Sequence, residues 1–113
     1  MSEETLNTTS GGYRIEMLKA TNWMLWKHRM LAVLRDLGLE SYIMKDATAP
    51  EFSNPQTPTK DEEVALKKWR EGNAKARTQI ELVVGDMEMV HLSGADTAKE
   101  MWDQLCMVKE AKG

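Results

Sequence analysis

The sequence predicts an all-α protein: a small helical bundle of about three main helices plus short helical turns, with a proline-rich loop and a disordered N-terminal tail. Apolar residues recur every three to four positions in separate segments, the period of a helix with one buried face. Each segment opens on a residue able to cap a helix. The one alternating stretch, "YRIEML", is too short to make a sheet without a pairing partner. At 113 residues the chain is sized for one domain.

Residues 1–12, "MSEETLNTTSGG", lack apolar periodicity and end in Ser-Gly-Gly, which reads as a disordered tail. The folded domain spans 13–112. In its first residues Tyr13, Ile15 and Met17 alternate with Arg14 and Glu16, as in an extended arm laid on a core. The first long helix is expected from an Asn22 N-cap to Gly38 just past its C-terminus. Within it Trp23, Trp26, Met30, Val33, Leu34 and Leu37 fall on one stripe about 100° wide. A short turn, "LESYIM", follows. All three prolines of the chain, Pro50, Pro55 and Pro58, lie in residues 45–60, a proline-rich internal loop.

Thr59 and Glu62 form a capping-box pattern that opens the second long helix. Leu66, Trp69, Ala76, Ile80 and Val83 are its apolar positions. Gly72 and Asn73 interrupt the pattern and weaken it, the glycine by roughly 1 kcal/mol. Gly85 and Asp86 end it, and "MEMVHL" reads as a helical turn. Thr97 and Glu100 repeat the capping box before a last helix with Ala98, Met101, Trp102, Leu105 and Val108 on its apolar stripe. The expected core is Trp23, Trp26, Trp69 and Trp102 with Leu34, Ile80 and Leu105.

The net charge of −3 provides no general attraction for nucleic acid or anionic lipid. A single cysteine, Cys106, excludes an intramolecular disulfide and a cysteine-based zinc cage. The N-terminus lacks a signal-peptide apolar core, and "MLAVL" is far shorter than the roughly 18 residues of a membrane span. The expectation is therefore a cytoplasmic protein without membrane contact. His28 and His91 have no partner at ligand spacing, Cys106 reads as a small buried side chain, and Glu62–Glu63 read as helix-start charge. Phosphate-loop, nucleophile-elbow and zinc-helix motifs are missing. No catalytic, metal, cofactor or small-molecule site is expected, and the chain does not read as an enzyme.

The stretch "ATNWMLWKHRM" places Trp23 and Trp26 beside Lys27, His28 and Arg29, the composition of a single-strand nucleic-acid platform. The helical wheel turns His28 to the side opposite the tryptophans and Arg29 to a flank, leaving Lys27 at the stripe's edge, where its stem can snorkel. Core packing is the stronger reading. Met24, Leu25 and Leu31 fall outside the core stripe. Either the arm and short turns cover them, or they form an exposed apolar patch for self-association. The nine methionines read mainly as core filler.

Three segments together resemble the N-terminal Gag, or capsid, region of copia-type LTR retrotransposons. In "LKATNWMLWKHRMLAVLRDLGL", Leu18, Asn22, Trp23, Trp26, Leu34, Gly38 and Leu39 carry the likeness. In "WREGNAKARTQIELVVGD" it rests on Trp69, Ala76, Ile80 and Asp86, and in "TAKEMWDQL" on Thr97, Ala98, Glu100, Trp102 and Leu105. The resemblance covers about residues 13–108. Ala20 departs from it, standing where the family often has glycine, so the entry turn into the first helix is open to change. The zinc knuckle of the family has no counterpart here, and RNA binding that depends on it does not carry over. The resemblance implies a non-enzymatic, self-associating structural protein that builds virus-like particles, a homo-oligomer with Met24, Leu25 and Leu31 as candidate contact surface. Two alternatives stand beside it: a host helical adaptor derived from such a domain, and a weak RNA-binding module using Lys27, Arg29, Lys67, Lys68 and Arg70.

Overall fold

The structure, a computed structural model, describes the backbone of residues 7–10 and the chain from residue 13 to residue 111. Helix α1 spans Trp23–Asp36, α2 Lys60–Leu82 and α3 Ala98–Lys109, with 3₁₀ turns at Glu40–Ile43 and Asp86–Leu92. The all-α class, the number of long helices and both short turns agree with the sequence reading. Among the described residues no helix is long and apolar enough to cross a membrane.

Most of the expected tail, residues 1–6 with 11 and 12, lies outside the described residues. The part that is described corrects the expectation. Asn7–Ser10 forms strand β1, paired antiparallel with β2, Tyr13–Glu16, so that Asn7 faces Glu16 and Ser10 faces Tyr13. The arm therefore does have a pairing partner, supplied by the segment read as tail. A Gly-Gly pair between two short polar segments is a hairpin signal in sequence. The small ribbon lies against α1 and α2 and buries Ile15.

Helix α1 ends as its glycine requires. Gly38 has φ +73°, Leu39 N–H donates to the Leu34 carbonyl at 2.7 Å, and Gly38 N–H donates to that of Arg35 at 3.1 Å. This Schellman closure turns Leu39 inward onto the core. Leu37, expected on the buried stripe, is exposed because it is already the C-cap and the helical period has stopped. Val108, near the end of α3, is exposed as well.

The start of α1 differs from expectation. Asn22 occupies the N-cap position, but its side chain makes no cap. It turns back on the entering chain, where Oδ1 accepts from Lys19 N–H at 2.7 Å and Nδ2 donates to the Met17 carbonyl at 2.8 Å. Asn22 fixes the entry loop, whose backbone groups fold back within its reach. Ala20 and Thr21 make that turn without positive φ, so an alanine at position 20 fits it.

Both capping boxes form as read, Thr59 with Glu62 and Thr97 with Glu100. Helix α2 runs unbroken through Gly72 and Asn73, and both residues are buried. A side chain at Gly72 would meet the Tyr42 ring. Asn73 Oδ1 accepts from Ala98 N–H at 2.9 Å, satisfying a donor of the first turn of α3 from a neighbouring helix. The residues that weaken α2 as an isolated helix are where it joins its neighbours.

The buried core comprises Leu18, Trp23, Trp26, Met30, Leu34, Ala76, Ile80, Val83, Ala98, Met101, Trp102 and Leu105, among others. Trp69 does not join it. It stands half-buried, edge-on to Tyr42 with ring centroids 6.3 Å apart. The buried residues of α2 run only from Gly72 to Ile80, and Trp69 lies one turn before them, in the half of the helix that is not buried.

Two substitutions test these joints. Asn73→Ala gains helix propensity of at most about 0.7 kcal/mol but strands the buried Ala98 N–H at about 1–3 kcal/mol. A net loss is expected in urea unfolding, and a stabilised variant would refute the joint. In Gly85→Ala the new Cβ would lie 2.7 Å from the Leu18 carbonyl oxygen, a backbone atom. Overpacking of this kind costs about 1–3 kcal/mol, so thermal melting monitored by circular dichroism should shift down by several degrees.

Candidate interaction surface at the first helix

The tryptophans of α1 and α3 form one cluster. Trp23 and Trp26 have ring centroids 5.7 Å apart, and Trp26 and Trp102 stack at 6.0 Å. The indole N–H of Trp26 donates to the Val83 carbonyl at 3.0 Å inside the core. Trp23 reaches the edge, where its N–H donates to Glu110 Oε2 at 2.9 Å. Neither α1 ring faces outward for stacking, while His28 and Arg29 are exposed. The aromatic and cationic halves of "WMLWKHR" are thus separated.

Lys27 is bound into the same edge. Its ammonium lies 2.6 Å from Glu110 Oε2 and 5.7 Å from the Trp23 ring centroid. The hydrogen bond to Glu110 raises the Lys27 pKa, and the bonds from Lys27 and Trp23 lower that of Glu110. Cys106 packs partly against the core, and burial raises its thiol pKa. It is therefore less ionised than a free thiol, the opposite of an activated nucleophile. The sequence reading missed Glu110. It lies just past the α3 stripe, and its partners are 83 and 87 positions away, beyond any local pattern.

Of the candidate contact residues, Met24 is 68% exposed and Leu25 50% exposed. Leu25 is only flanked by the arm, sharing a narrow cleft with Ile15, Glu16 and Arg29. Leu31 is half-buried and packs against the core, so it does not join the other two. Met24 stands between two shallow hollows of about 410 Å³ each, one bordered by Ala20, Thr21 and Lys109, the other by Lys27, Glu110 and Ala111.

Two ion pairs border this knob. Lys27 pairs with Glu110, and Lys109 lies 2.5 Å from Glu88 Oε1 in a pair whose side chains are about one-tenth exposed. His91 adds a longer contact to Glu88 at 3.5 Å. Among the described residues no three His, Cys, Asp or Glu side chains gather as a metal site would require. The motif residues Leu18, Trp23, Trp26, Leu34, Ala76, Ile80, Ala98, Trp102 and Leu105 are all buried, Thr97 is a cap, and Asn22 is a loop anchor. In comparisons with protein families, curated proteins and solved structures, the chain matches none.

The Glu110 bond carries a pH signature. Its folded-state pKa lies below the ordinary carboxylate value, so its stabilising contribution is complete above that value and lost as pH falls through the lowered one. Trp23 emission should therefore shift on acidification below the usual carboxylate range. In Glu110→Gln that step should be missing while the rest of the acid transition remains.

Proposed function

We propose that the chain is a non-enzymatic, Gag-like capsid module of copia type that self-associates weakly in the cytoplasm, one contact in a larger assembly. The observation that carries this reading is the convergence of its motif segments. Trp23 and Trp26 from the first, Ala76 and Ile80 from the second, and Ala98, Trp102 and Leu105 from the third meet in one buried core. Residues that a ligand-binding family would spend on a pocket are here used to hold helices together. What they hold out is the Met24–Leu25 end of α1.

That end suits a contact between copies. A chain of net charge −3 repels its own kind. Around Met24 Lys27 pairs with Glu110 and Lys109 with Glu88. At these pairs two copies can meet without placing bare like charges opposite one another. Two apolar side chains fall well short of the roughly 1,200–2,000 Å² of a stable pairwise interface. Such a contact gains strength only when repeated in an assembly.

Sedimentation velocity over a wide concentration range tests the reading. Mass-action self-association is expected, shifted to monomer by Leu25→Asp and by Met24→Asp, with unchanged circular dichroism. A strictly monomeric protein at every concentration, or association indifferent to both changes, would remove the surface assignment.

A further inference from the structure

A second surface lies on the opposite kind of ground, where cations are left unmatched. Lys19, Lys27, Arg35, Lys99 and Lys109 each hold a carboxylate. Among the described residues Lys67 and Arg70 on α2 form no ion pair, although Glu63 and Glu71 lie within helical reach of Lys67 in sequence. Both border a hollow of about 350 Å³ whose apolar floor is Phe52, Pro58 and Leu66, with Glu63 on the rim. The volume falls in the range of ligand pockets, about 300–1,000 Å³.

The hollow is built rather than incidental. Its loop wall is tied to α2 through one carboxylate. Glu62 Oε2 accepts from Ser53 N–H at 2.8 Å and from Ser53 Oγ at 3.0 Å, while Oε1 accepts from Thr59 N–H at 2.8 Å. These bonds lower the Glu62 pKa to about 2. The bonds on either side of the loop hold Phe52 and Pro58 beside Leu66.

We propose that the hollow between the proline-rich loop and the first half of α2 docks a short acidic peptide segment carrying one bulky apolar side chain. The side chain enters between Phe52, Pro58 and Leu66, and flanking carboxylates meet the Lys67 ammonium and the Arg70 guanidinium, which favours paired carboxylate bonds. Glu63 can accept a peptide N–H at the rim. A nucleic-acid strand fits this chemistry less well. It needs successive aromatic rings for its bases and many summed phosphate contacts, whereas the hollow has one aromatic ring and two cations. The proposal does not depend on the assignment of the Met24 surface.

The test is fluorescence anisotropy of the full chain with a labelled heptapeptide holding one phenylalanine between two pairs of glutamates. Saturable binding is expected, weakened about fivefold or more by Lys67→Gln or Arg70→Gln, the scale of a charge-assisted bond. Replacing the peptide's phenylalanine by glycine should abolish it, and Arg29→Gln, on another helix, should leave it unchanged. Both α2 residues are exposed, so circular dichroism should report an intact fold. No binding, binding indifferent to Lys67 and Arg70, or tighter and steeply salt-dependent binding of an oligothymidylate would each overturn the proposal.

Discussion

The Val83 carbonyl is the point on which the fold turns. It lies at the C-cap of α2, where a helix leaves its last acceptors without internal partners. Two donors reach it from elsewhere in the chain: Leu18 N–H of the arm at 2.8 Å and the Trp26 indole of α1 at 3.0 Å. The Leu18 carbonyl completes the joint by accepting from Gly85 N–H at 3.0 Å. One acceptor thus fixes the arm, the first helix and the end of the second, all under the tryptophan cluster. The approach is close enough that a Cβ at position 85 would strike the Leu18 oxygen.

The other joints follow the same logic. A bundle this small gains most of its stability from apolar burial, which is strong but not directional. Direction comes from a few polar groups. Asn73 sets α3 on α2, Glu110 closes α3 on α1, and Glu62 draws the proline-rich loop onto α2. Asn73 satisfies a buried donor that would otherwise lack a partner, while Glu110 and Glu62 bond donors nearer the surface and fix which segments meet there.

The surface that results is uneven in charge pairing. Around Met24 two ion pairs, Lys27 with Glu110 and Lys109 with Glu88, are made by tertiary contacts. On the first half of α2 the Lys67 and Arg70 cations beside the Phe52 hollow form no ion pair among the described residues. Trp69, in the same half of α2, lies before the first buried residue of the helix.

Helix periods, capping boxes, the Gly38 stop and the proline-rich loop were readable in the sequence, because each depends on residues within a few positions of one another. So was the inward direction of Trp23 and Trp26. The roles of Asn22, Asn73 and Glu110 were not, nor was the partnering of β2. For the two asparagines local propensity points the wrong way, to a cap and to a weak spot. In the folded chain Asn22 binds an entry loop and Asn73 caps the start of a different helix. Local order lies within reach of short-range sequence pattern; the choice of partner for a polar side chain waits for packing to bring distant segments together.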